Sequence, residues 1–244
     1  MKRGSWREHY PRNLAELVLS ISTMIQGLGK TLSAALGAIG LATIVGACQD
    51  NVSTPFPPGL EPLEINPIPS QPSGPYTEEL SISSEENPII KIYARGYVLL
   101  PPAIVWAAAK TPDANVAACT TSEQFVTPNS QPEYEFSFAV HYKVHNILTV
   151  EWDDQWRFGT IAGTADAPGQ AMIKHQKVQG SDFITFSAGT IELSATADPN
   201  VTELAFVEHL DAIGGGPEDV RKGVRQNYQA LVAVAHGQPI PPCP

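Results

Sequence analysis

From Glu133 to Ile213 the chain is written in short β-like segments separated by turn residues, and it then changes periodicity once, into a single amphipathic stretch. The segment "EYEFSFAVHYKV" (133–144) breaks at His145-Asn146 and resumes at once as "ILTVEWDDQWRFGTI" (147–161). "QAMIKHQKVQ" turns at Gly180-Ser181-Asp182 into "FITFSAGTIELSATA", and Asp198-Pro199-Asn200 leads into "VTELAFVEHLDAI". Segments rich in β-branched and aromatic residues joined by such short turns predict an antiparallel meander. Gly214-Gly215-Gly216-Pro217 ends the run. Across 217–237, Val220, Val224, Tyr228, Leu231 and Ala235 recur every three or four residues, which is one apolar face of a helix, and Gly237 supplies its stop. Glu218 and Asp219 fall in the first turn, where the helix dipole favours negative charge.

Upstream, "PIIKIYARGYVLLP" (88–101) reads as a strand, and "PAIVWAAAK" (102–110) as a short helix opened by proline. Residues 111–132 are mixed and polar, with room for a second short helix at 115–125. The order is strand, one or two short helices, about six antiparallel strands, one long terminal helix.

That order resembles the START-like or SRPBCC superfamily, including its polyketide cyclase/dehydrase-like members. The residues that carry the resemblance are "YVLLPPAIVWAAAKTPD", "GTIELSATADPNVTELAFVEHLDA" and "PEDVRKGVRQNYQALVAVAHG". It implies an α+β helix-grip fold: a curved antiparallel sheet of about six to seven strands wrapped around a long C-terminal helix. A helix laid across a curved sheet touches it at the ends and stands off in the middle, leaving a space for a hydrophobic guest. The expected lining is Trp106 from the first helix, Phe138, Trp152, Trp156 and Phe186 from strands, and Tyr228 from the terminal helix, each of which also suits an ordinary core position.

Compact catalytic motifs are missing: there is no nucleophile elbow, no HExxH and no phosphate-cradling glycine loop. His141 and His145 share a strand face roughly 13 Å apart, too far to share a metal. The pattern "EWDDQW" puts Glu151 and Asp153 on one face and Trp152 and Asp154 on the other. If the fold hosts chemistry, Glu151, Asp153, His175 and His209 are its candidate acids and bases, with Glu192 and Glu208 as further partners for the histidines. Superfamily members carry cyclase and dehydratase names, but a shared fold transfers no active site. Nothing in the residue pattern calls for a metal or cofactor.

Ahead of the β-rich body, seventeen uncharged residues (Thr31 to Ala47) run into Cys48 behind a basic leader. Val45-Gly46-Ala47-Cys48 resembles the bacterial lipobox, which implies acylation of Cys48, cleavage before it, and a mature chain in the cell envelope, with Gln49 favouring the outer membrane. A short membrane span is the alternative, and Met24 is an alternative start to Met1. Residues 51–75 hold eight prolines and little periodicity, predicting an extended stalk outside the fold. The expected organisation is therefore signal peptide 1–47, proline-rich tether 48–75, ligand-binding domain 76–238 and proline-rich tail 239–244. From Cys48 onward there are 10 basic and 23 acidic residues, a formal charge of −13 that repels nucleic acid. With Cys48 acylated, Cys119 and Cys243 remain, either bridged in an oxidising compartment or free. The expected partners are a hydrophobic small molecule and, through the anchor, a membrane. An enzyme of the cyclase, dehydratase or hydrolase kind and an interaction module with a filled interior are the other readings.

Overall fold

A computed structural model describes residues 51–116, 119, 121–145 and 148–243. The export signal with Cys48 and Asn146 of the first expected turn lie outside the described residues. The strands are β1 (Asn51–Ser53), β2 (Leu80–Glu86), β3 (Ile90–Val98), β4 (Glu123–Pro128), β5 (Phe136–His145), β6 (Thr149–Thr164), β7 (Ala167–Ser181), β8 (Ile184–Ala195) and β9 (Thr202–Ala212). The helices are α1 (Pro102–Ala109) and α2 (Pro217–Ala235). The strands form one antiparallel sheet in the order β2-β3-β9-β8-β7-β6-β5-β4, with β1 added beside the far end of β7. This α+β arrangement, one sheet closed by a C-terminal helix, is a helix grip, with nine strands where the sequence reading expects six or seven.

The extra strands come from segments whose alternation is short. In β2, Leu80 and Ile82 alternate with Ser81 and Ser83 against β3. Of the stretch 115–125, expected as a second helix, residues 117, 118 and 120 lie outside the described residues; a single 3-10 turn at Pro112–Ala114 precedes it, and from Glu123 it is β4, where Phe125 and Val126 pair with His141 and Val140 of β5. β-branched and aromatic side chains fit a pleated surface better than a helix end, and here they decide the outcome.

One face of the sheet carries the core. On β3 the even-numbered residues Ile92, Ala94 and Val98 are fully buried, and their β9 partners include Phe206 and Glu208. Helix α2 closes over this face: the Tyr228 hydroxyl donates to the Tyr97 carbonyl at 2.7 Å, and its ring meets Phe206 edge-on at 6.4 Å. Close approach is possible because position 96 is glycine, since a Cβ there would lie 2.7 Å from Tyr228 Cε2. Cys119 and Cys243 are bridged, with Cα atoms 5.4 Å apart, tying the tail behind α2 to the segment before β4. The Cys119 backbone amide also donates to Gln226 Oε1 of α2 at 3.1 Å.

The stalk reading of 51–75 requires correction. The segment crosses the opposite, outer face of the sheet and is pinned there residue by residue. Asn66 Nδ2 donates to the carbonyls of Ala94 (2.9 Å) and Phe206 (3.0 Å). Glu64 accepts from Lys91 Nζ (2.9 Å) and Tyr93 OH (2.8 Å) and lies 2.6 Å from His209 Nε2. Arg95 Nε donates to Ile68 O at 2.7 Å and pairs with Glu203, which also binds Ser70. A proline-rich chain has carbonyls to offer but few N–H groups. Here the outer face holds the segment mainly through its side chains Glu64, Asn66 and Ser70, with Arg95 on the Ile68 carbonyl, so the segment becomes a strap.

Candidate functional site

The inner face changes character along the strands. Phe158, Ile173, Ile191 and Leu204 at one end are buried and apolar. Toward the other end five paired positions form a row across the sheet: Phe138, Trp156, His175, Gly189 and Glu208. Each member fixes the next. Phe138 stacks on Trp156 with ring centroids 5.7 Å apart and planes within 7°, and Trp156 stacks on the His175 imidazole at 4.2 Å. His175 Nε2 reaches across Gly189 to Glu208 Oε1 at 3.0 Å. Any side chain at 189 would occupy the space of this pair. The residues flanking the row are Asp154 and Trp152 on β6, Lys177 on β7 and Tyr142 on β5. Lys177 stands opposite Asp154 in the same unbroken register that pairs His175 with Trp156, so both face the interior, and β7 bulges just beyond, between Lys177 and Gln179.

This is a charged cluster inside an aromatic shell: Asp154 is 5% exposed, His175 7% and Glu208 8%. Burial pushes the Asp154 carboxyl up to about 7; His175 and Lys177 oppose that rise, and Glu208 and Asp153 add to it. Burial alone would lower His175, but the Glu208 and Asp154 carboxylates outweigh it and the imidazole titrates above its ordinary value. Burial raises Tyr142 well above the ordinary phenol range, and the Asp154 charge adds to the rise. Lys177 is lowered by burial and donates to the carbonyls of Ser181 (2.8 Å) and Ile184. Three polar atoms of the row and its flanks are left over: Asp154 Oδ1, Trp156 Nε1 and His175 Nδ1 are buried with no hydrogen-bond partner among the described residues. His175 Nδ1 lies 3.9 Å from Asp154 Oδ2, too far for a direct hydrogen bond.

The expected lining separates into three groups. Trp106, Phe138, Trp156 and Tyr228 are buried in the core between sheet and helices, with Trp106 Nε1 donating to Glu135 at 3.3 Å. Trp152 is half-buried and stacks on Tyr142 at 5.1 Å. Phe186 lies on the other side: it pairs with Asp211 in regular register three residues from Gly189, so alternation puts it on the outer face. Of the four expected acids and bases, His175 alone faces the interior. Glu151 and Asp153 stand on the outer face, Glu151 with Lys143 (2.7 Å) and Asp153 with His141 (2.7 Å), while His209 binds Glu64 of the strap. Among the described residues no group of three metal-ligating side chains assembles, and no helix is long and apolar enough to cross a membrane. A cavity of 380 Å³ lies away from the row, where the strap residues Gly74 to Tyr76 meet Leu99 and the Asp198 to Val201 turn.

Sequence reasoning placed Asp154 on the face of Trp152 but assigned the chemistry to its neighbours. The signal was present: on strand alternation Asp154 sits two residues from each of two tryptophans, so one acidic side chain shares a face with large aromatics. Lys177 carried a similar signal, two residues from His175 on the same strand, and was not singled out.

No family model matches the chain, and no curated protein matches it. Among solved structures it is similar to the human StarD13 lipid transfer and protein localization domain, at 14% identity over 66% of this chain and 85% of that one, with a TM-score of 0.45. It is also similar to a STAR-related lipid transfer protein fragment from Xanthomonas axonopodis (12% identity, 66% and 94% covered, TM-score 0.45). A third is the Zhui aromatase/cyclase from a Streptomyces species (13% identity, 65% and 93% covered, TM-score 0.39). At such identities the likeness concerns architecture and carries nothing about ligand or reaction. By its own strand order, register and closing helix, the described part of the chain is a helix-grip domain.

Proposed function

We propose that the chain is an envelope lipoprotein, acylated at Cys48, whose helix-grip interior takes up a hydrophobic small molecule. The observation that carries the binding reading is the row on the inner face: aromatic side chains surround buried polar atoms that the described chain leaves unpartnered. An unmet buried polar atom costs about 1–3 kcal/mol, a cost that a guest's polar group or a trapped water removes. The test is mass spectrometry of small molecules extracted from protein purified under native conditions; a stoichiometric apolar guest is expected, and a guest-free interior argues for the filled-core interaction module. For the anchor, Cys48→Ser expressed in a bacterial host should release the protein from membranes, and retention of the variant would favour a membrane span.

The pair Asp154 and His175 favours a second reading, an acid–base enzyme. A carboxyl titrating near neutrality beside an imidazole is suited to moving a proton at physiological pH. This reading moves the candidate chemistry from Glu151, Asp153 and His209 to Asp154, His175 and Glu208.

A further inference from the structure

We propose that the notch between Asp154 and His175 is a subsite for an uncharged hydroxyl group, alcohol or phenol, borne by the guest; this rests on the reading of the interior as an apolar binding site. The geometry leaves few choices. The His175 ring is held by Trp156 on its face and by Glu208 on Nε2, so Nδ1 is aimed at the Asp154 side of the interior and cannot swing to another partner. An oxygen placed off the line between Nδ1 and Asp154 Oδ2, which are 3.9 Å apart, reaches both at hydrogen-bond distance.

Proton bookkeeping selects the chemistry of that oxygen. Glu208 accepts, so His175 Nε2 carries a proton. When the imidazolium faces an ionised Asp154, Nδ1 donates and the carboxylate accepts. When one proton moves across, Nδ1 becomes the acceptor and the Asp154 carboxyl the donor. With one proton shared between the pair, in either arrangement the missing partner must donate once and accept once. A hydroxyl does both; an ether, ketone or carboxylate only accepts. Charge points the same way. The groups facing the notch are Glu208 from β9, His175 and Lys177 from β7, Asp154 from β6 and Tyr142 from β5. A guest anion would meet two carboxyl groups, and a guest cation would meet His175 and Lys177. Glu208 acts through His175 as a positioning residue.

The test is calorimetric titration of the full chain at pH 7 with four naphthalene probes: 2-naphthol, 2-methoxynaphthalene, 2-naphthoic acid and 2-(aminomethyl)naphthalene. The expected result is 2-naphthol binding at least about tenfold more tightly than its methyl ether, the consequence of one satisfied pair of hydrogen bonds, with the acid and the amine weaker than the alcohol. Asp154→Ala and, separately, His175→Gln should bring alcohol and ether to within about twofold while leaving ether affinity in place; two variants are used so that loss of folding in one does not decide the matter. Equal affinity for alcohol and ether, or a preference that neither variant reduces, overturns the subsite, leaves a water in the notch, and leaves apolar binding standing. If no probe binds, the molecule extracted from natively purified protein decides: a hydroxylated guest supports the subsite, a guest without a hydroxyl overturns the subsite alone, and no guest overturns both readings.

Discussion

The ring of Tyr228 occupies the space a side chain on Gly96 would need: a Cβ at position 96 would lie 2.7 Å from Tyr228 Cε2 and 3.0 Å from the Glu79 carbonyl. The terminal helix and the third strand are thereby locked at one point. Gly96→Ala must move either the helix or the edge strand, and the expected loss of stability is about 1–3 kcal/mol. Tyr228→Phe keeps the ring and removes the bond to the Tyr97 carbonyl, for a loss of about 1 kcal/mol. Urea denaturation of the two variants measures both, and Gly96→Ala should be the more damaging.

Asp154 makes stability depend on pH in a direction unusual for a carboxylate. Its folded-state value, about 7, lies above the ordinary 3.8, so the folded chain holds this proton more firmly than the unfolded chain does. The contribution is complete below 3.8 and is lost as pH rises toward 7. Asp154→Asn cannot ionise and should remove that downward slope, by an amount on the order of a few kcal/mol across the interval. Denaturation midpoints at pH 4, 5.5, 7 and 8 compare the two proteins; parallel curves would contradict the assignment.

Glu64 behaves in the opposite sense. Burial pushes it up, but Lys91, Tyr93 and His209 together draw it down to about 2. Its stabilising contribution is present above 4.5 and is lost as pH falls from there toward 2. Acid should therefore loosen the strap before the sheet. In hydrogen exchange, Glu64→Gln at neutral pH should speed the amides of Ile68 and Gln71, which bond Asn66 Oδ1 and Tyr97 OH, and leave those of β8 and β9 unchanged.

Cys243→Ser opens a loop whose ends are 124 residues apart. The expected loss is about 2–5 kcal/mol, read as a lower thermal midpoint, with faster exchange concentrated in α2 and the segment before β4. A variant as stable as the parent would make the bridge dispensable to the fold.

The meander and the closing helix were legible because each rests on local periodicity: alternation through β5 to β9, and the three-to-four spacing of Val220, Val224, Tyr228 and Leu231. What escaped depends on partners far away in the chain. The strap reads as a stalk because its proline content says how it bends and nothing of Lys91, Arg95 and Glu203 waiting on the outer face. Asp154 was put on the correct face by alternation, yet its chemistry depends on burial and on His175 and Glu208, which approach only through the register of three other strands. Phe186 was misplaced although alternation announces it: it stands an odd number of residues from Ile191 and Leu193, and the pleat carries it to the outer face.

The pinned strap leaves the chain almost no slack. Asn51 pairs with Ser181, so the segment is already part of the sheet, at the end of β7, four residues before its first proline. An anchor at Cys48, as proposed above, would join the domain at this corner, where Lys177 meets the Ser181 carbonyl. With an anchor there, the eight prolines would provide no standoff distance, because they lie along the outer face downstream of the entry point.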